Sequence, residues 1–298
     1  MDGETGNNGL KQITLAAYAK LNLTLDILRK RPDGYHDLRM VMQSISLHDD
    51  VSVRETEDGS IRCRSSLPYL SQGSGNLAVK AAECFFQQTG LPRRGLEITL
   101  DKRIPIGAGM AGGSSDGAAV LQALRRWYAP QMTQEELERI GLLVGSDVPF
   151  CLRGGTALAE GRGERLTELP PLPPCHLVLC KPTFSISTAE LFGSLAGKKL
   201  RLHPDTAGVL EALERQDLKA LCRRFYNVFE EVLPNRYREV QDIKRRLLDC
   251  GAQAALMTGS GSTVYGVFED TDEAQRCYER LRADYPLSYR ELPIQSIR

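Results

Sequence analysis

Apolar and polar residues alternate along residues 13–28 of the chain. The apolar positions include Leu21, Leu23, Leu25 and Ile27, and the polar positions between them are Lys20, Asn22, Thr24 and Asp26. This period of two predicts a half-buried β-strand that carries Lys20 and Asn22 on its polar face. A lysine on such a face usually only contacts solvent, so a role for Lys20 depends on residues elsewhere in the chain.

The next alternating segments predict a hairpin and a separate strand. Residues 50–55 and 60–64 would pair as two strands, because Asp58-Gly59 between them is typical of a tight turn. Residues 65–75 have no clear period and are interpreted as an irregular loop. Residues 96–101 alternate cleanly and lead into a glycine-rich stretch.

Capping signals predict two helices in the same part of the chain. Asn76 would cap a helix that ends at Gly90. Thr133 and Glu136 have the spacing of a capping box, and the helix they begin would end at Gly145.

The pattern changes after the proline-dense segment 169–174, which has the composition of a semi-rigid linker. The elements predicted beyond it are a strand over 176–181, helices over 188–195, 206–225 and 235–250, strands over 253–258 and 263–268, a helix over 272–283 and a strand over 287–296. With the three helices taken as one crossover, the order is β-α-β-β-α-β, which is that of a ferredoxin-like layer. We therefore expect two domains, 1–168 (with residues 1–10 as a tail) and 169–298.

Composition excludes several classes of function. The 298 residues include 38 acidic and 38 basic ones, and this balance argues against nucleic acid as a partner. No apolar run approaches the roughly 20 residues of a membrane span, and the first residues lack the layout of a signal peptide. The eight Cys form no C-x-x-C pair and the four His no H-x-x-x-H spacing, so we expect reduced thiols, no structural zinc and a cytoplasmic location.

The candidate chemistry begins at the glycine-rich stretch 105–117, in which five of thirteen residues are Gly. Ser114 and Ser115 stand where a helix N-cap belongs, and an apolar helical face follows them. A loop with free N–H groups that leads into a helix N-terminus can hold a phosphate group. The alternative is an ordinary glycine-rich surface turn.

Gly107, Gly109 and Gly112 also fit the G-x-G-x-x-G pattern of a dinucleotide site. The strand before them alternates instead of being continuously apolar, and four residues separate it from the loop, so a Rossmann site is disfavoured. No Lys follows the glycines, which excludes a Walker A loop. The other signature motifs of a protein kinase are absent as well.

The stretch from Pro105 to Ala118 resembles the motif of the GHMP kinase family, Pro-x-x-x-Gly-Leu-Gly-Ser-Ser-Ala-Ala, with Met110 in place of Leu and with Asp116-Gly117 diverging. Further blocks resemble the branch of that family whose members phosphorylate a cytidyl-methylerythritol diphosphate ester. These blocks are Ala19-Lys-Leu-Asn-Leu23, Asp33-Gly-Tyr-His36, Asp101-Lys-Arg-Ile-Pro105, Gly145-Ser-Asp-Val-Pro149 and Ala159-Glu-Gly161. The resemblance covers nearly the whole chain.

This resemblance implies an α+β, two-domain GHMP kinase fold. The N-terminal domain would be a mixed α/β domain with a left-handed βαβ unit, and the C-terminal domain would be ferredoxin-like. The implied reaction transfers a phosphoryl group from ATP, with Mg²⁺, to the 2-hydroxyl of the methylerythritol unit in the non-mevalonate route to isoprenoid precursors.

The resemblance also implies roles for individual residues. Asp147 would be the catalytic base, and Lys20 would keep it ionised and polarise the acceptor hydroxyl. Asp147 is equally suited to an N-cap, and the two roles are compatible. Asn22, Tyr35, His36, Thr188 and Phe192 would bind the cytidyl substrate, with Phe192 stacking on cytosine; taken alone, Phe192 is more typical of a core residue.

ATP would be bound by Asn76, Lys102 and the loop residues Pro105, Ile106, Gly107, Ala108, Gly109, Met110, Ala111, Gly112, Gly113, Ser114 and Ser115. No protein ligand is assigned to Mg²⁺, for which Ser114 and Ser115 are the candidates. Gly259-Ser-Gly-Ser262 matches a third glycine loop of the family, although a plain hairpin turn explains its composition nearly as well.

Three other functions stay open at this point. One is a GHMP kinase that acts on homoserine or mevalonate, one is a nicotinamide-dependent oxidoreductase, and one is a non-catalytic protein- or RNA-binding module. The Gly-Tyr-His block disfavours the first, and the neutral net charge with the joint presence of Lys20 and Asp147 disfavours the third. Binding of ATP but not NAD would separate a kinase from the oxidoreductase. We expect small molecules as the only partners and a monomer or weak homodimer.

Overall fold

The computed structural model describes residues 9–70, 73, 75–195 and 200–295. The chain divides into two compact units. The first comprises Met1–Ala19, His48–Ile104 and Ala111–Arg153, and the second comprises Lys20–Leu47, Pro105–Met110 and Gly154–Arg298. The predicted domains 1–168 and 169–298 follow the linear sequence, whereas these units interleave along it, and the predicted boundary stays a prediction.

Two long strands, β1 (Gln12–Lys30) and β2 (His36–Thr56), pass from one unit into the other. Shorter strands and helices complete the described part of the first unit. They are β3 (Ile61–Ser65), α1 (Leu77–Thr89), β4 (Gly95–Asp101), α2 (Gly112–Tyr128), α3 (Gln134–Val144) and α4 (Val148–Arg153).

The predicted hairpin between residues 50–55 and 60–64 is wrong. β4 lies between these two segments, antiparallel to β2 with Val53 opposite Ile98, and parallel to β3 with Cys63 opposite Ile98. The parallel pair needs a crossover connection, and α1 provides it as a β3-α1-β4 unit. Ile98 is fully buried, so β4 gains more apolar burial between two strands than a β2–β3 hairpin would allow.

The predicted ends of α1 and α3 are confirmed. The side chain of Asn76 accepts the N–H of Ala78, and Gly90 closes α1 in the left-handed region with φ 68°. Thr133 and Glu136 form the complete capping box of α3. These ends depend on a few adjacent residues, which explains why the sequence alone located them.

The prediction that β1 is half-buried is wrong. Lys20, Asn22, Thr24 and Asp26 on its polar face are each no more than 4% exposed, as are Leu21, Leu23 and Leu25 on the other face. Within the second unit, β1 lies between β2 and the short strand β8 (Tyr226–Asn227), and it is parallel to β8. Its polar side chains are therefore enclosed.

Other elements of the second unit follow β1 and β2. They are β5 (Thr156–Gly161), β6 (Arg165–Glu168), β7 (His176–Cys180), α5 (Thr188–Ser194), α6 (Thr206–Glu214), α7 (Leu218–Cys222), α8 (Glu239–Asp249), β9 (Ala254–Met257), β10 (Val264–Phe268), α9 (Thr271–Asp284) and β11 (Ser288–Glu291). Two 3₁₀ helices lie at Val228–Val232 and Asn235–Tyr237. β5 pairs with β2 and with β6.

Four short strands of the C-terminal part form an antiparallel sheet in the order β11-β7-β10-β9. In sequence order this is 4-1-3-2, and with the intervening helices it confirms the predicted ferredoxin-like β-α-β-β-α-β layer. The predicted helix over 206–225 is instead two helices, because Gln216 between α6 and α7 has φ 54°. The pattern did not predict β6 or β8.

Within the described part of the chain, none of the helices has the length and apolar character that crossing a membrane requires.

Candidate active site

Lys20 and Asn22 form a buried pair on β1 in the second unit. The Lys20 ammonium donates to Oδ1 of Asn22 over 2.6 Å. The N–H of Asn22 donates to Oγ1 of Thr258 at 3.0 Å, and its carbonyl accepts from the Tyr265 hydroxyl at 2.9 Å. Because Lys20 is only 4% exposed, a purely solubilising role is excluded.

Residues 105–110 of the glycine-rich loop lie against the turn at 258–262, within the same unit. Gly109 has φ 75°, and a methyl group added there would lie 2.3 Å from the carbonyl oxygen of Thr258. The N–H of Thr263 donates to the carbonyl of Ala108 at 3.3 Å. Only glycine permits this approach at position 109, because the left-handed conformation and the contact both exclude a side chain.

The turn at 258–262 also reaches Lys20, so the loop that the sequence left between two interpretations lies beside a predicted catalytic residue. A methyl group added at Gly259 would lie 2.9 Å from the carbonyl oxygen of Gly109 and 3.4 Å from Nζ of Lys20. The buried hydroxyl of Ser262 donates to the carbonyl of Phe184 at 2.6 Å. Thr258 and Ser262 position this turn. The sequence analysis named Ser262 only as part of the Gly259-Ser-Gly-Ser262 stretch, and it did not name Thr258.

Residues 111–115 of the loop belong to the first unit and begin α2 differently from the prediction. Ala111, with φ 60°, is the N-cap, so the prediction that Ser114 or Ser115 occupies it is wrong. The hydroxyl of Ser115 donates back to the carbonyl of Gly112 at 2.8 Å. The N-cap Ala111 makes no side-chain cap hydrogen bond, and no other side chain of the described residues accepts the N–H groups of the first turn of α2. These N–H groups are therefore available to an anion.

A buried charge cluster lies beside that turn, with Nζ of Lys102 3.5 Å from where a methyl group at Gly112 would be. Nζ of Lys102 lies 2.5 Å from Oδ2 of Asp49 and 2.6 Å from Oδ2 of Asp116, and the three side chains are at most 3% exposed. The N–H groups of Arg103 and Ile104 also donate to Asp49. Asp49 and Asp116 were not predicted; the only signal was the divergence of Asp116 from the family motif.

The cluster contains one cation and two carboxylates, which shifts its pKa values. Burial is the largest cause that raises the pKa of Asp116, and with the repulsion from Asp49 it outweighs Lys102 and brings this pKa to about 7. Burial lowers the pKa of Lys102, but the two carboxylates more than offset it, so its pKa is raised. Lys102 is therefore a cation committed to two carboxylates, and its predicted contact with ATP stays a prediction.

Asn76 and Asp147 occupy two helix starts of the first unit. Oδ1 of Asn76 accepts the N–H of Ala78 at 2.9 Å. The carbonyl of Asp147 accepts the N–H of Cys151 at 3.0 Å, which places Asp147 directly before α4. Its half-buried carboxylate has no hydrogen-bond or ion-pair partner among the described residues of its unit.

His36 and Phe192 come together in the second unit, although 156 positions of sequence separate them. Their rings stack with centroids 4.7 Å apart and an interplanar angle of 20°, and Phe229 meets Phe192 edge-on at 5.1 Å. Burial, helped by the charge of Lys30, lowers the pKa of His36. The hydroxyl of Thr188 lies 2.7 Å from that of Ser260.

Tyr35 is one of the exposed residues among the predicted substrate contacts, with 52% of its surface accessible. Its ring partner is the guanidinium of Arg162, whose Cζ lies 3.8 Å from the ring centroid. The sequence analysis did not name Arg162, because it lies in a glycine turn far from Tyr35 along the chain.

Comparison with known proteins agrees with this geometry. The family model described as "GHMP kinases N terminal domain" matches residues 76–155, and the one described as "GHMP kinases C terminal" matches residues 209–287. The first match includes the uncapped start of α2, and the second includes the turn at 258–262.

Individual proteins that resemble this chain indicate to which branch of the GHMP kinases it is similar. A 4-diphosphocytidyl-2-C-methyl-D-erythritol kinase of Exiguobacterium sibiricum is 44% identical over 91% of this chain and 94% of its own. A solved structure of 4-(cytidine 5'-diphospho)-2C-methyl-D-erythritol kinase is 34% identical with a TM-score of 0.79, and it covers 94% of this chain and 99% of its own. A homoserine kinase of Cytophaga hutchinsonii, at 17% identity and TM-score 0.75 over 96% of both chains, shares the fold.

The chain therefore belongs to the GHMP kinase family and, within it, to the family of the 4-diphosphocytidyl-2-C-methyl-D-erythritol kinases.

Proposed function

We propose that this chain transfers the γ-phosphoryl group of ATP to the 2-hydroxyl of 4-diphosphocytidyl-2-C-methyl-D-erythritol. The observation that carries the proposal is the similarity, along about nine-tenths of the chain, to kinases named for this acceptor. The products are ADP and the 2-phosphorylated ester, a step toward isoprenoid precursors.

Asp147 accepts the proton of the 2-hydroxyl as that oxygen bonds to the γ-phosphorus, and the bond between the γ-phosphorus and the bridging oxygen of ADP breaks. The carboxylate of Asp147 has no hydrogen-bond or ion-pair partner among the described residues of its unit, which supports this role, since a base must be free to accept a proton. Lys20 provides positive charge near the acceptor, and Asn22 orients its ammonium.

The start of α2 binds phosphate groups of ATP through its uncapped N–H groups. Asn76 and Lys102 contribute to the adenosine side. Residues 105–110 contribute backbone N–H groups, and Gly109 lets their backbone approach closely.

Mg²⁺ would be held largely by the phosphates of the nucleotide. Among the described residues, no group of three or more His, Cys, Asp or Glu side chains could hold a metal ion. The donors fit an ion that retains phosphate and water ligands, since Mg²⁺ bound with nucleotides needs few protein ligands. Ser114 is the better candidate of the two predicted serines, because the hydroxyl of Ser115 is committed to Gly112. The ion would neutralise phosphate charge as it develops.

The cytidyl group binds at His36, Tyr35 and Phe192, with Thr188 beside them. The stacked rings of His36 and Phe192 support this placement, because base stacking on an aromatic ring is worth about 1–3 kcal/mol. Burial and Lys30 keep the pKa of His36 low, so its ring is neutral at pH 7 and offers one donor and one acceptor to a base edge.

The test is ATP turnover with the cytidyl ester, with homoserine and with mevalonate, in the presence and absence of Mg²⁺. We expect ATP turnover that depends on Mg²⁺ and that occurs with the cytidyl ester but not with homoserine or mevalonate. Preferential turnover of homoserine or mevalonate would refute the proposed acceptor. ATP, unlike NAD, should raise the melting temperature, and the reverse order would favour an oxidoreductase.

A further inference from the structure

The side chain of Arg162 lies at a turn between β5 and β6 that the proposed reaction does not use. The turn is built by its neighbours: Gly161 has φ 73° and Gly163 has φ 111°. The carboxylate of Glu164 accepts the N–H of Arg162 at 2.5 Å. The conformation of this turn therefore fixes the point and the direction in which the side chain of Arg162 leaves the backbone.

The guanidinium has an unusual environment for a cation. Nε of Arg162 is shielded from solvent and has no hydrogen-bond acceptor among the described residues. No carboxylate of the described chain lies within ion-pair distance of it either. A buried donor without an acceptor costs free energy, and here the electron-rich face of the Tyr35 ring, 3.8 Å from Cζ, offsets that cost.

The same contact matters more for Tyr35 than for Arg162. Tyr35 follows the Pro-Asp-Gly turn and is 52% exposed. Its backbone is held, because its N–H donates to Oδ1 of Asp33 at 3.1 Å and its carbonyl accepts the N–H of Arg31 at 2.8 Å. The contact with Arg162 is the one described interaction that fixes the ring.

We propose that Arg162 is a positioning residue for the cytidyl substrate, which acts by holding the ring of Tyr35 in the orientation that packs against the base. This inference rests on the proposed function. An exposed aromatic ring that is already ordered loses less side-chain entropy on binding, and Arg162 on one face leaves the other face for the ligand.

The experiment is a double-mutant cycle with Arg162→Met and Tyr35→Leu, read out as KM for the cytidyl ester, KM for ATP, kcat and melting temperature. We expect Arg162→Met to raise KM for the cytidyl ester about three- to tenfold and to leave kcat and KM for ATP within about twofold. In the Tyr35→Leu background, Arg162→Met should change nothing further, because the two residues act as one unit.

Three further variants make the cycle specific. Tyr35→Phe keeps the ring face and should keep the effect of Arg162→Met. Arg165→Met removes the same charge from an exposed position on β6 without a ring contact and should leave all four quantities unchanged. Arg162→Lys, which retains a cation, should recover part of the KM.

Each remaining result overturns the inference. Equal effects of Arg162→Met with and without Tyr35 would mean that Arg162 contacts the ligand directly. A parallel rise in both KM values with a lower melting temperature would mean a structural role only. A wild-type enzyme without turnover of the cytidyl ester would refute the proposed function as well. An active wild type in which Arg162→Met leaves KM for the cytidyl ester unchanged would refute this inference alone.

Discussion

Nζ of Lys20 and Oδ1 of Asn22 lie 2.6 Å apart, on one buried face of a single strand. Two residues of spacing on a β-strand place side chains on the same face, so this contact follows from the sequence Lys-Leu-Asn. Its environment does not, because Thr258 and Tyr265, which hold Asn22, come from the other end of the chain.

Asn22→Ala should therefore impair both catalysis and folding. The Lys20 ammonium would lose a buried acceptor, which costs about 1–3 kcal/mol of unfolding free energy, and kcat should fall at least tenfold as the ammonium reorients. Denaturant unfolding and steady-state kinetics measure the two effects. Asn22→Asp retains an acceptor and should be milder than Asn22→Ala, and an unchanged kcat in Asn22→Ala would contradict the positioning role.

Asp147→Asn should lower kcat about 10²- to 10⁴-fold, the usual effect of removing a group that moves a proton. KM for both substrates should stay within a few fold, because the amide preserves the shape of the carboxylate. The matched control is Asp217→Asn, at the N-cap of α7, where the side chain accepts the N–H of Ala220. That variant should keep kcat, and similar losses in the two variants would argue against a base at position 147.

His36→Ala and Phe192→Leu should each raise KM for the cytidyl ester about tenfold or more. The stacked pair would lose one ring, and the base would lose an aromatic contact worth about 1–3 kcal/mol. KM for ATP should not change in either variant. Steady-state kinetics with each substrate varied in turn provides the test, and equal losses for both ligands would contradict a role in reading cytosine.

Gly109→Ala should abolish most of the activity, because the added methyl group would lie 2.3 Å from the carbonyl oxygen of Thr258. The control is Gly90→Ala, with φ 68° against 75° at Gly109 and no atom within 4 Å of the added methyl. Both variants bear the left-handed strain of about 1–2 kcal/mol. Only Gly109→Ala should also lose kcat, and equal kcat values would mean that the packing of the loop is unimportant.

Asp116→Asn should change how stability depends on pH. In the folded protein the pKa of Asp116 is about 7, whereas an unfolded Asp titrates near 3.9. Between these values the folded state holds a proton that the unfolded state has released, so this group makes the unfolding free energy fall as pH rises from about 4 to 7.

The variant lacks this dependence, so the wild type should lose on the order of 1–3 kcal/mol more than Asp116→Asn between pH 4.5 and 7.5. His36, whose pKa is lowered, acts in the opposite direction, but both proteins contain it and the comparison cancels it. Urea unfolding across this range measures the difference. Identical pH profiles would mean that Asp116 is already ionised at low pH.

Local rules predicted the parts of the fold that depend on a few neighbouring residues. Helix α1 begins after Asn76 and ends at Gly90, as expected. The order of strands and helices after residue 169 correctly predicted the ferredoxin-like layer. The same rules were wrong where partners compete. Residues 50–55 of β2 could pair with any adjacent strand. They pair with β4 and not with β3, because β4 buries a fully apolar face there.

The start of α2 shows why a site can be predicted while its details are not. Serine is a preferred N-cap residue, which led to the prediction for Ser114 and Ser115. The positive φ of Ala111, together with that of Gly109, instead lets the helix begin earlier, at Gly112. The result favours an anion site more than the prediction did, because no side chain in the described part of the chain accepts the N–H groups of the first turn of α2.

The sequence by itself determined which chemical groups this protein has and which local conformations they adopt. These are the Lys-Leu-Asn strand, the Pro-Asp-Gly turn that precedes Tyr35 and His36, and the glycine-rich loop that leads into a helix. Tertiary structure alone decided that Phe192 stacks on His36, that Arg162 covers Tyr35, and that Lys102 is enclosed by Asp49 and Asp116. The physical reason is that local conformation depends on neighbouring residues, whereas burial and charge pairing depend on side chains that only the folded chain brings together.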